Sequence, residues 1–237
     1  VPATDHRREV FARIREALRV PAPHRHVGHV GEHPAAPNHD AGLPGSETFR
    51  AWLPLVGESL DEQIELFAVN SAALKTEFYR VGSLEEAGER LNQLARDAQW
   101  RQVATHRHPL ALPLAGQLAL PSLIVEAGYS VAEMESCDAA ITGCDFLVAQ
   151  TGSLLVSGPS AGGRALSVLP PHHVVVASAS QMVPDLATAL QQARQRYAPQ
   201  WPSFLSFITG PSRTGDIERI LVLGAHGPKR LTLFLLP

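Results

Sequence analysis

The stretch of this chain best equipped for chemistry is Gly210-Pro211-Ser212-Arg213-Thr214-Gly215-Asp216-Ile217-Glu218. It lies between two apolar runs, Phe204 to Ile208 and Ile220 to Leu223, so a strand should enter it and a short helix should leave it. A turn of that kind aims backbone N–H groups outward at a helix N-terminus, where an anion is favoured. Arg213 adds a planar guanidinium suited to a carboxylate or a phosphate. The competing reading is a cap: Ser212 or Thr214 closes the turn, Asp216 and Glu218 supply its negative charge, and Arg213 pairs with one of them.

Three further clusters carry polar groups beside buried runs. Asp145 to Ala149 reads as a buried strand followed by Gln150-Thr151-Gly152-Ser153. The ends of parallel strands are where α/β proteins bind ligands, and small hydroxyl residues beside a glycine let a backbone come close to one. The bland alternative is a two-residue Thr-Gly hairpin turn. Gly158 to Arg164 reads as a loop, either a plain surface loop or one in which Gly162 and Gly163 form an anion-binding concavity closed by Arg164. Leu169-Pro170-Pro171-His172-His173 comes just before a strand. Its two histidines point opposite ways from an extended chain, so a single metal does not easily take both. One of them at a strand mouth can orient an anion, move a proton, or simply hold a loop.

Other chemistries find no support. There is no G-x-x-x-x-G-K-[ST], no G-x-G-x-x-G and no Ser-His-Asp nucleophile elbow. Cys137 and Cys144 are the only cysteines. They lack close C-x2-C pairs, and an iron–sulfur cluster normally needs four thiolates. Two free thiols suit a reducing, cytoplasmic setting. No metal site is expected.

Alternating short elements must position these clusters. Residues 4–19 read as an amphipathic helix with Val10, Phe11, Ile14 and Leu18 on one face. Residues 20–46 hold five prolines and His24, His26, His29, His33 and His39 with little to bury, which marks a flexible linker. From Glu47 onward a single α/β domain is expected: helices over 58–74 and 84–98, a helix opened by Pro184 and ending near Tyr197, and buried strands at 78–81, 145–149, 153–157, 174–177, 204–208, 220–223 and 231–236. Residues 108–118 are ambiguous because Pro109 and Pro113 interrupt them. The 237 residues carry a net charge of −3, so nothing draws the chain toward nucleic acid. No run approaches the ~18 apolar residues of a membrane span, and Asp5, Arg7, Arg8 and Glu9 do not suit a signal peptide.

Five segments occur here in the order found in LUD-domain proteins. They are Ala140-Ile141-Thr142-Gly143-Cys144-Asp145, Ala149-Gln150-Thr151-Gly152-Ser153, Ser167-Val168-Leu169-Pro170-Pro171-His172-His173-Val174, the Gly210 to Glu218 string, and Leu221-Val222-Leu223-Gly224-Ala225-His226-Gly227-Pro228. The chain therefore resembles the LUD-domain family, and within it the lactate-utilisation protein C group. The resemblance implies a Rossmann-like three-layer α/β sandwich with a mainly parallel sheet, similar to ribose-5-phosphate isomerase, glucosamine-6-phosphate deaminase and CoA transferases. It also implies work beside two iron–sulfur partner subunits that oxidise L-lactate to pyruvate, with no cluster bound by this chain. The family usually has glutamate where Gln150 stands; an amide does not titrate, which favours binding or assembly over proton transfer.

Together these observations lead to an expected ligand site for a small carboxylate or phosphate at the carboxyl ends of the strands. It would draw on Gln150, Thr151, Gly152, Ser153, Arg164, His173, Ser212, Arg213, Thr214 and Asp216. Two alternatives stand beside an accessory lactate-oxidation subunit: a self-sufficient enzyme acting on a phosphorylated sugar or acyl substrate, and a pure assembly module gripping a partner through its N-terminal helix.

Overall fold

A computed structural model describes residues 12, 13, 16, 55–214, 222–223 and 226–237. The chain divides into two units, Val1–Leu53 and Pro54–Pro237. In the first, residues 12, 13 and 16 are helical and exposed. The rest of the helix expected over 4–19, and the linker expected over 20–46, lie outside the described residues. So do Asp216, Glu218 and any helix following Thr214.

In the second unit local signals set the elements. Ser59 caps α1 (Leu60–Ala73), accepting from the Glu62 N–H while the Glu62 carboxylate takes the Ser59 N–H at 2.9 Å. Ser83 caps α2 (Leu84–Asp97), whose stripe of Ala87, Leu91 and Ala95 is buried. The ambiguous stretch holds a short helix, α3 (Ala111–Ala115), and α4 spans Val131–Glu135. The helix α6 (Leu186–Tyr197) is capped by Asp185, so Pro184 stands before the cap and not at the first helical position. The loop expected at 158–163 is a single helical turn, α5 (Gly158–Ala161), capped by Ser157.

Among the described residues, twelve strands form three sheets. Six of them, β1 (Glu77–Arg80), β2 (Val103–Thr105), β3 (Ser122–Ile124), β4 (Ala139–Thr142), β7 (His172–Ser178) and β12 (Arg230–Leu236), lie in the order β1-β12-β7-β4-β2-β3 and are all parallel. Parallel strands buried on both faces read as continuous apolar runs, as Val174-Val175-Val176-Ala177 does. A second sheet is built from β5 (Phe146–Val148) and β6 (Ser153–Ser157), which lie between β4 and β7, and from β8 (Met182–Val183) and β9 (Leu205–Ile208), which follow β7, in the order β8-β5-β6-β9. The third is a two-strand ribbon of β10 (Arg213–Thr214) and β11 (Val222–Leu223). A short strand, not a helix, thus begins at Arg213.

The layers follow from which side chains share a core. One face of the parallel sheet (Ile141, Val174, Val176, Phe234) packs on α2 and α3. The other (Val175, Ala177, Leu231, Leu233, Leu235) packs on Ile64 and Phe67 of α1 and on Leu147, Leu154 and Val156 of the second sheet. The far side of that sheet packs on Ala189 and Ala193 of α6. The α/β fold with a mainly parallel sheet expected from the alternating pattern is therefore present, with the second sheet laid against one face of the parallel one.

Candidate functional site

Polar groups gather at two opposite edges of the parallel sheet. At the amino edge, where β7 and β12 begin, there is a cavity of about 250 Å³. His173 and Leu231, register partners on the two strands, stand at its base. Phe207 to Ser212 form one wall, Ser167 and Val168 another, and His226 to Pro228 a third. Gly210 permits the first wall, because its φ of +79° brings it against the Leu74 carbonyl behind α1, where a Cβ would sit 2.6 Å from that oxygen. The Ser212 N–H bonds the Pro228 carbonyl at 2.9 Å and ties the first wall to the third. A second hollow of about 400 Å³, lined by Glu135, Leu169, Pro171 and Lys229, shares Val168, His226 and Gly227 with it.

His173 is 1% exposed. Burial pushes its pKa down to about 3, helped by its neighbour His172, so the ring is neutral at ordinary pH. Its Nε2 lies 2.8 Å from Thr142 Oγ1, and that hydroxyl donates to the Gly143 carbonyl at 3.0 Å. His172 points the other way, as adjacent strand residues must. It meets Trp100 edge-on at 5.1 Å and Thr232 Oγ1 at 2.8 Å, and burial, with Arg230 nearby, lowers it to about 3 as well.

At the carboxyl edge, β2 exits toward β3 while β4 exits toward the second sheet, so the chain diverges between neighbouring strands. Such a switch point is the usual ligand crevice of an α/β sheet. Here it is filled. Asp145, 1% exposed, accepts from Ser160 Oγ at 2.8 Å, from Arg196 at 3.0 Å and from the Tyr197 hydroxyl. Arg196 also stacks over the Phe146 ring at 4.6 Å. His108 accepts at Nδ1 from the Leu110 and Ala111 N–H groups, both at 3.3 Å, and presses on Gly143, where a Cβ would lie 2.3 Å from its Nε2. His106 packs under Gly162; burial, then His108, lowers its pKa to about 4, and its Nε2 is buried without a partner. None of these residues is among the site residues expected from sequence. The signals that mark them are His106-Arg107-His108 directly after a strand and Gly143-Cys144-Asp145 directly after another.

The ten expected site residues do not form one cluster. Ser212 and His173 meet in the amino-edge cavity, at the opposite end of the strands from the one expected. The Gln150 to Ser153 turn is near them but does not line the cavity among its described residues. It is a four-residue connection, because Val148 pairs with Ser153. It packs on α1: Asn70 Nδ2 donates to the Ala149 and Gln150 carbonyls at 3.0 and 2.9 Å, and a Cβ on Gly152 would lie 2.6 Å from Ser71 N. Ser153 Oγ reaches Thr209 Oγ1 at 2.8 Å, which joins this turn to the strand entering Gly210. Thr151 Oγ1 is buried without a partner. Arg213 is exposed, and its guanidinium comes to Gly210 beside the Leu74 carbonyl, the negative end of α1. Thr214 lies in the ribbon, and Asp216 is outside the described residues.

Arg164 stands elsewhere, over the Phe204 ring at 5.5 Å. The concavity expected at Gly162 and Gly163 does not form, because both N–H groups bond the same Gly158 carbonyl at the end of α5. Cys137 and Cys144 are buried, and burial raises both thiol pKa values, so neither is an activated thiolate.

Comparison with known proteins assigns the fold and its lineage. The profile of the LUD domain matches residues 64–236. Lactate utilization protein C of Shouchella clausii is 27% identical over 214 residues, covering 85% of this chain and 92% of that protein. Its counterparts in Deinococcus radiodurans and Bacillus subtilis are each 32% identical, over 46% and 45% of this chain and 51% and 45% of their own lengths. The crystal structure of a DUF162 family protein from Deinococcus radiodurans superposes with a TM-score of 0.60 at 24% identity, covering 78% of this chain and all of that one.

Proposed function

This chain belongs to the LUD-domain family, and from that premise we propose that it serves lactate utilisation by binding a small carboxylate in the amino-edge cavity. The names of its relatives, lactate utilization protein C, support the lactate assignment. The carrying observation within the chain is the cavity itself: about 250 Å³, with an apolar base at Leu231 and polar groups at Ser212 and His173. A three-carbon acid fits that space with its methyl group toward the base. Ser212 offers a hydroxyl to the carboxylate, and the exposed Lys229 in the adjoining hollow supplies positive charge.

Electron transfer is assigned to other chains. We propose two partner subunits carrying iron–sulfur clusters, with this protein as the accessory subunit that holds the acid. Two buried cysteines with raised pKa values support that division, since cluster ligation draws on thiolates.

Calorimetry with L-lactate tests the binding proposal, with inorganic phosphate as competitor. The expected result is one site, weakened about fivefold in Ser212→Ala, which loses a single hydrogen bond. Absence of binding by lactate, pyruvate and phosphate alike overturns it. Reconstitution with candidate partners tests the second proposal: lactate oxidation should require this chain and both cluster-bearing subunits together.

A further inference from the structure

The hydrogen bonds around His173 fix which of its nitrogens a ligand can use. Thr142 has one hydroxyl proton, and it goes to the Gly143 carbonyl at 3.0 Å. Thr142 Oγ1 therefore accepts from His173, so the His173 proton sits on Nε2, 2.8 Å away. The ring is neutral, because a charged imidazolium at this depth would be left in an apolar surround. Nδ1 then carries a bare lone pair. It has no hydrogen-bond partner among the described residues, yet it is not one of the buried, orphaned polar atoms. By contrast, Nδ1 of His172, held in the same way through Thr232 and Glu77, is such an orphan. His173 lines the cavity and His172 does not.

We propose that His173 Nδ1 reads the hydroxyl group of a 2-hydroxy acid, so that the cavity selects the alcohol form of its ligand over the 2-oxo form. This rests on the carboxylate-binding function proposed above and adds to it the substrate class. A ligand hydroxyl donates to Nδ1 and satisfies both groups. A 2-oxo acid instead turns a carbonyl oxygen toward the same lone pair, leaving two acceptors facing each other in a low-dielectric site. An acid with no oxygen at carbon 2 makes no bond there but suffers no repulsion. The affinity order is therefore L-lactate, then propionate, then pyruvate. The relay from the Gly143 carbonyl through Thr142 is what holds this preference, because it keeps the proton off Nδ1. Thr142 is thus a positioning residue. In an oxidising assembly the same preference retains the reduced acid and releases its product.

Two measurements on the full chain test the proposal. The first is calorimetry with L-lactate, propionate and pyruvate at pH 7. Lactate should bind at least about tenfold more tightly than pyruvate, with propionate between them. Lactate and pyruvate binding within about twofold of each other overturns the hydroxyl-reading role while leaving the carboxylate site standing. Failure of all three acids to bind removes the carboxylate site and this inference with it. The second needs no variant: nitrogen NMR of histidine-labelled wild-type protein. His173 should appear as the Nε2–H form, with its Nδ1 signal moved by lactate and left in place by propionate. A His173 protonated at Nδ1 overturns the proposal whatever the affinities. In Thr142→Val, if it folds, the lactate-to-pyruvate ratio should collapse toward one; a retained ratio shows that Thr142 does not set the tautomer.

Discussion

The two ends of the parallel sheet handle their polar residues in opposite ways. At the carboxyl edge, Asp145 is closed off by Ser160, Arg196 and Tyr197, which fasten α5 and α6 onto the sheet. At the amino edge, His173 is pinned on one side by Thr142 and open on the other to a cavity of about 250 Å³. A satisfied buried network stiffens a fold, whereas a half-satisfied one next to open volume is available for a ligand. Position in the fold does not separate the two, since the switch point between β2 and β4 is the conventional place to look. What marks the amino edge is a nitrogen unpaired among the described residues, on a residue that lines open volume; the orphan at the carboxyl edge, His106 Nε2, is buried.

The largest expected effect tests both edges at once. His106, His172 and His173 have pKa values of about 4, 3 and 3 in the folded chain, against ~6.5 when unfolded. Below ~6.5 the unfolded chain therefore binds about three more protons, so stability rises with pH and is lost on acidification between ~6.5 and ~3. Denaturant melts at pH 7 and pH 5 should differ by several kcal/mol, on the order of 5. His106→Gln and His173→Gln should each remove about one proton from the slope; an unchanged slope in either locates the buried neutral histidines elsewhere.

Asp145→Ala comes next. It removes the acceptor shared by Ser160, Arg196 and Tyr197, leaving Ser160 and Tyr197 only their bonds to Ser157, and should cost about 3 kcal/mol. Because the carboxyl edge is a fastening, the folded fraction should still bind lactate with unchanged affinity by calorimetry. Loss of binding at full stability would reverse the roles of the two edges. Gly210→Ala works on the amino edge: at a φ of +79° and with the Leu74 carbonyl in its path, it should lose about 2 kcal/mol in a denaturant melt and weaken lactate binding as well. Arg164→Ala should be the mildest, within about 0.5 kcal/mol and without effect on lactate titration, because its cation lies over Phe204 and not at the cavity.

Much of the fold is legible in the sequence because its signals are local. Ser59 and Ser83 cap helices, the Ala87-Leu91-Ala95 stripe is periodic, and the valines of β7 can only be a buried strand. Pro184 misleads because Asp185, one residue later, has the side-chain acceptor that the cap needs. The site is less legible because it depends on register. Nothing local says that β6 and β9 pair so that Ser153 meets Thr209, or that His173 falls at the amino end of a strand beside Leu231. Arg164 follows two glycines and looks like an anion clamp, yet those glycines end a helical turn and spend their N–H groups on Gly158. His106, His108 and Asp145 escape notice because each is ordinary in sequence, and only the parallel pairing of β2 with β4 brings them together.

The most direct test of the account is an amide and side-chain chemical-shift map of the wild-type protein titrated with L-lactate at pH 7. Saturable shifts should centre on Ser167, His173, Ser212 and Gly227 and leave His106, His108 and Asp145 unmoved. Shifts centred on the carboxyl-edge residues, or none at millimolar lactate, contradict it.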